Sequence, residues 1–199
     1  MAPNMSLFSV NAILLLSADD NSRILTKYYS PPHPPANAGN NFPGANPYPT
    51  LKDQKAFEKG LLEKTAKSTN DVILYDNRIV VYKTESDVML YVVGPADENE
   101  IMLYSVVLAL RDSLNILLKN SVDKRTLIEN YDLASLAIDE IVDDGIILET
   151  DPVVVASRVS RPPAQDTPNM QSVDLSEEGL LKLYQFGKAK LGERLRQGL

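Results

Sequence analysis

Residues 97–119 read as a helix, and their segment 101–110 is apolar all the way round except at Ser105. A helix on a domain surface needs cover along one stripe. One that is apolar around its circumference needs cover on more than one side. A domain with a single sheet has few elements to supply that cover. Part of this helix's surface is therefore expected to meet another protein, with Ile101, Met102, Tyr104, Val106 and Leu108 as the candidate interface residues.

The other apolar runs are shorter and read as strands. Residues 7–16 alternate and then run apolar through Ile13 to Leu16, as a strand buried on both faces does. Turn chemistry follows at 18–22, then a second strand at 23–30 with Ile24 and Tyr28 on one face and Leu25 and Tyr29 on the other. Residues 72–75 and 79–82 flank the hairpin signal Asp76-Asn77, and 88–93 are a central strand closed by Gly94-Pro95. Helices are expected at 51–67 and at 123–142, the latter with Leu127, Tyr131, Ala134, Ile138 and Ile141 on one face, Asp123 as N-cap and Gly145 at C′. Asp151-Pro152 opens a further short helix. The order predicts an α+β domain over 1–160 with one five-stranded antiparallel sheet and helices on both faces.

Two segments stand outside that domain pattern. Residues 31–49 hold seven prolines, lack the basic anchor of a polyproline ligand, and read as a solvated insertion that packs no core. Residues 161–173 read as a linker and 174–199 as a tail helix, with Asp174 and Glu177 spaced as a capping box. From Gly179 onward that tail has five basic side chains against one acidic, and Leu180, Tyr184, Leu191 and Leu195 share a face. Docking on a partner, or on the chain's own acidic domain, is expected ahead of membrane binding, because its glycines weaken an isolated helix.

Charge and residue usage narrow the chemistry. A net charge of −7 disfavours binding to nucleic-acid phosphates. The absence of cysteine removes disulfides and thiolate sites, and the single histidine, His33, lies in the proline-rich stretch where nothing holds it rigidly. No catalytic residue, cofactor site or metal site is expected. The acidic group Asp139, Glu140, Asp143 and Asp144 reads as a solvated helix end, or else as a contact for a basic partner. The first apolar run lacks a basic region before it and is not read as a secretory signal. No stretch reaches the ~20 apolar residues that span a bilayer.

A series of motifs, in order, carries a family resemblance: Ala12-Ile13-Leu14-Leu15-Leu16, Lys27-Tyr28-Tyr29, Gln54-Lys55-Ala56-Phe57-Glu58-Lys59, Val80-Val81-Tyr82-Lys83, Glu98-Asn99-Glu100-Ile101-Met102-Leu103, Val122-Asp123-Lys124-Arg125, and Ala137-Ile138-Asp139-Glu140-Ile141-Val142-Asp143-Asp144-Gly145. Over residues 7–160 the chain resembles the zeta-coatomer family and, more distantly, the small sigma chains of clathrin adaptors. The resemblance implies a longin-like fold, with one helix on one face of the sheet and two on the other. It also implies a stable pair with the helical trunk of gamma-coatomer inside the COPI coat, beside the remaining coatomer subunits. An Arf-family GTPase would recruit that coat from the cytoplasm to Golgi membranes, for retrograde Golgi-to-ER and intra-Golgi transport. Two departures qualify it. The insertion at 31–49 is longer than the family's usual connection. Asp19 stands where sigma chains place a basic residue for acidic dileucine signals, so that recognition is not carried over. Another longin-type trafficking subunit, a sigma-like chain or a tethering-complex component, is the alternative; an enzyme is more remote.

Overall fold

Two hairpins and a returning central strand build the sheet. The computed structural model describes residues 7–30, 46–66, 68 and 70–160. Strands β1 (Ala12–Ser17) and β2 (Arg23–Tyr28) form the first hairpin. Helix α1 (Leu51–Thr65) follows, then β3 (Val72–Tyr75), β4 (Arg78–Glu85) and β5 (Val88–Pro95). The strand order is β2-β1-β5-β4-β3, with every neighbour antiparallel. Asp76 and Asn77 both have positive φ (51° and 55°), the type I′ geometry that matches the twist of the β3–β4 hairpin.

Helix α2 (Glu100–Leu117) starts from an Asn99 cap and crosses one face of the sheet. It is followed by α3 (Lys124–Glu129), α4 (Tyr131–Ile141), a small hairpin β6 (Val142–Asp143) and β7 (Ile146–Ile147), and α5 (Pro152–Val159). An aliphatic core joins α2, α4 and α5 to this face through Ile13, Leu15, Leu90, Leu110, Ile138 and Val155. Leu103 comes so close to the sheet that a β-carbon on Gly94 would lie 2.6 Å from its side chain. Among the described residues the opposite face carries one helix, α1, whose Phe57 and Leu61 pack over Leu14, Tyr82 and Tyr91. The expected α+β domain with helices on both faces is what forms.

Several expectations need correction. The strand expected at 7–16 begins only at Ala12. Before it the chain turns aside so that Phe8 bridges Ile146 and the Val10 amide donates to Gly145 O at 3.0 Å. Ile24 leaves the face of Tyr28, because a bulge pairs Leu15 with Leu25 and Leu16 with Arg23 and leaves Ile24 unpaired; it packs on the aliphatic core instead. The helix expected at 123–142 is two helices, parted at Asn130 (φ −118°, ψ 37°), whose side chain donates to Thr126 O at 2.9 Å. That break turns Tyr131 out of the apolar face to the surface. Gly145 is not a helix C′ residue. With Asp144 (φ 47°) it forms the β6–β7 turn at φ 85°, and any β-carbon there would meet Val10 O at 2.6 Å.

The insertion is also not wholly an ornament. Residues 31–45 lie outside the described residues, but Tyr48 near its end is only 6% exposed. Its ring stacks on Phe57 at 4.2 Å and meets Tyr28 edge-on at 6.0 Å, while its hydroxyl donates to Asp76 Oδ2 at 2.7 Å. The linker expected at 161–173, the tail helix expected at 174–199 and His33 likewise lie outside the described residues.

Candidate docking surfaces

The expected interface residues on α2 occupy three kinds of environment. Ile101, in the first turn, is 80% exposed. Met102, Tyr104 and Leu108 are half-buried along the rim of the helix. Val106 is fully buried and serves the core, since α5 and α4 cover the sides of α2 that the sheet leaves open. The apolar circumference is thus mostly satisfied within the domain; its most exposed side chain is Ile101 at the N-terminal end, and Ile116 near the C-terminal end of α2 is also exposed.

Tyr104 ties this rim to the edge of the sheet. Its hydroxyl donates to Asp71 Oδ2 at 3.3 Å, and Lys83 Nζ lies 5.1 Å from the centre of its ring while also ion-pairing with Asp71 at 2.5 Å. The hydrogen bond from Lys83, followed in smaller part by that from Tyr104, holds the Asp71 carboxyl below its ordinary range. Asp71 leads into β3, whose Val72 and Leu74 are exposed. Their cross-strand partners Val81 and Ile79 belong to the α2-side core, so Val72 and Leu74 extend that face past the cover of the helix. In a two-residue hairpin, Tyr75 and Ile73 bond to β4, and the backbone groups of Val72 and Leu74 point to the open edge. Lys64 Nζ reaches the Leu74 carbonyl at 2.9 Å, a lysine guard on an otherwise open strand. The other edge is held: Lys27 on β2 ion-pairs with Asp139 of α4.

The α1 side has a polar anchor that the sequence did not disclose. Glu58 faces inward from α1, its side chain 7% exposed, and accepts from Arg23 Nη2 (2.5 Å), Arg23 Nε (3.1 Å) and Tyr28 Oη (2.8 Å). Burial, and then the nearby Glu58 carboxylate, raises the Tyr28 hydroxyl well above the ordinary tyrosine range, so it stays a donor. A hollow of about 600 Å³ beside this pair is lined by Asn21, Ser22, Lys55, Lys59 and Glu63 as well. Its charges are mixed, and its central Arg23 and Glu58 are already committed to one another. The signal in the sequence was a charge at position 58, on the face otherwise marked by Phe57, Leu61 and Leu62.

The acidic group at the end of α4 divides. Asp139 pairs with Lys27, and Glu140 with Arg158 at 2.6 Å, while Asp143 and Asp144 are exposed. Asp19 is exposed in the β1–β2 turn, next to Asp20, whose Oδ2 pairs with Lys124 at 2.5 Å. Among the described residues no group of three or more histidine or carboxylate side chains could hold a metal ion. Among them, too, no helix is long and apolar enough to cross a membrane.

A five-stranded antiparallel sheet with one helix on one face and the rest on the other, built around packing and edges, is the architecture of an adaptor small chain. Residues 9–164 match the clathrin adaptor complex small chain family, and the chain belongs to it. Within that family it stands with the coatomer zeta subunits. It is 41% identical to coatomer subunit zeta of Saccharomyces cerevisiae over 98% of this chain and 99% of that one. With coatomer subunit zeta-1 of Homo sapiens it shares 38% identity over 94% of this chain and 92% of the other. Among solved structures, a chain in a homology model of the full-length AP-3 complex, in a stretched open conformation, matches with a TM-score of 0.54. That match has 17% identity over 75% of this chain and 90% of the other, a likeness of fold.

Proposed function

We propose that this chain acts as a structural subunit of the COPI vesicle coat by pairing with the trunk of gamma-coatomer, and that it works by binding and not by catalysis. Coat membership follows from its family. The pairing is supported above all by the exposure of Ile101, at the head of a helix whose remaining apolar side chains are mostly enclosed. An isoleucine left in water forgoes on the order of 1.5–3 kcal/mol of burial. Beside this helix's rim, Val72 and Leu74 present further apolar surface and an open strand edge, and together they offer a trunk both side-chain contact and backbone pairing.

On this reading the chain sits at the cytoplasmic face of Golgi membranes only as part of the assembled coat. There an Arf-family GTPase recruits the coat for retrograde Golgi-to-ER and intra-Golgi transport. Co-expression with the gamma-coatomer trunk tests the pairing. A single complex in equal proportion on size exclusion is the expected result; two independently eluting proteins would refute it.

A further inference from the structure

Three large apolar side chains face outward around the break at Asn130, on the side of the molecule formed by α3 and α4. Ile128 is 55%, Tyr131 47% and Leu136 54% exposed. They are gathered together: with Leu133 they line a hollow of about 410 Å³ whose other walls are Glu129, Asn130 and Asp132. Asp132 and Leu136 lie one turn apart on α4, so the acid and the apolar group share a face. A contiguous apolar group of this kind marks a contact surface.

The charge around it selects the occupant. Between residues 124 and 144 there are six acidic and two basic side chains. Asp139 and Glu140 are answered by Lys27 and Arg158. At the hollow itself Glu129 and Asp132 stand against Arg125, which leaves its rim negative by one charge. Glu129 pairs with Arg125, but both are largely exposed, and such a pair yields readily to a competitor. Asp132 makes no ion pair with any described residue. An anionic lipid surface would be repelled by this rim, and a second copy of the chain would bring the same acids against it.

We propose that this face docks a basic amphipathic helix of a partner protein. The apolar stripe of that helix fills the hollow of Ile128, Tyr131 and Leu136, and its Lys or Arg side chains meet Glu129 and Asp132. The surface is distinct from the α2 rim assigned to gamma-coatomer, so the two readings fail separately.

The test uses the full chain and a labelled helical peptide of about five turns, with Leu at i, i+3, i+4 and i+7 and Lys elsewhere, followed by fluorescence anisotropy. A peptide of equal charge with Ser replacing Leu is the control. Leu136→Ser and Ile128→Ser should each weaken binding by about tenfold, the scale of one large apolar contact. Asp132→Asn should weaken it by about threefold, and Ile101→Asp should leave it unchanged. Melting temperature should stay constant throughout, because these side chains are exposed. Equal binding of the Ser peptide, or an unaltered affinity in Leu136→Ser, would overturn the proposal. So would binding that appears only once residues 161–199 are removed, which would give the face to the chain's own basic segment.

Discussion

The two faces of the sheet are held by different physics. On the α2 side, aliphatic side chains from α2, α4 and α5 interdigitate with β1, β4 and β5, and the core is almost without polar atoms. On the α1 side a single helix is held by rings with polar tips. Tyr48, Phe57 and Tyr75 lie in contact, Tyr91 Oη and Thr65 Oγ1 are 2.7 Å apart, and Arg23 is clamped on Glu58. Three helices can be stacked by volume alone, because each covers its neighbours. One helix over a wide sheet leaves margins, and there aromatic side chains combine area with a hydrogen bond that reaches the edge.

This contrast can be broken most sharply by truncation. Leu110→Ala, on the aliphatic face, should cost about 4 kcal/mol, the transfer loss plus an unfilled cavity, measured by denaturant unfolding. A cost near 1 kcal/mol would mean that α2 relaxes and the face is not closely packed. Arg23→Ala, on the other face, should cost about 3 kcal/mol by leaving the buried Glu58 carboxylate without its cation. Replacing the pair together, Arg23→Met with Glu58→Leu, should recover most of that loss, because the penalty belongs to a stranded charge and not to missing area.

Smaller effects sharpen the role of the polar tips. The Tyr82 hydroxyl is buried with no hydrogen-bond partner among the described residues, whereas that of Tyr91 is satisfied by Thr65. Burial pushes the Tyr91 hydroxyl up to about 12. Tyr82→Phe should therefore raise stability by about 0.5 kcal/mol and Tyr91→Phe lower it by about 1 kcal/mol. Two changes of the same sign would show that the hydroxyls are not doing what their partners suggest.

The smallest effect is acid sensitivity at Asp71. Its folded carboxyl titrates below the ordinary value, so it stabilises the fold above about pH 4 and loses that contribution as pH falls through its folded value. Asp71→Asn should lower neutral stability slightly, leave stability at the acid end of the profile unchanged, and so flatten the low-pH limb of a melting-temperature profile.

Much of this architecture was legible in the sequence. The doubly buried β1 and β5 announced themselves as unbroken apolar runs, Asp76-Asn77 gave the β3–β4 turn, and Asp123 and Asp151 marked helix starts. What was hidden depends on contacts distant in sequence. Gly145 looked like the end of a helix because its positive φ serves either a C-cap or a hairpin, and only Val10 decides which. Asn130 interrupts a helix whose apolar spacing continues across the break. Tyr48 is an aromatic among prolines, and its partner Phe57 lies in the next element. For the candidate interface, apolar periodicity located α2 but could not say which side chains α5 would cover, and so it placed Val106 beside Ile101.

Those two residues provide the most direct test. Ile101→Asp and Val106→Asp are introduced singly into the full chain, and each variant is co-expressed with the gamma-coatomer trunk and assayed for solubility, melting temperature and co-purification. Val106→Asp should fail to fold, since it places a carboxylate in a dry core. Ile101→Asp should remain soluble, melt within about 2 °C of the parent because its side chain is exposed, and no longer co-purify with the trunk. An Ile101→Asp chain that folds and still pairs at parental level would contradict the assignment of this rim to the partner.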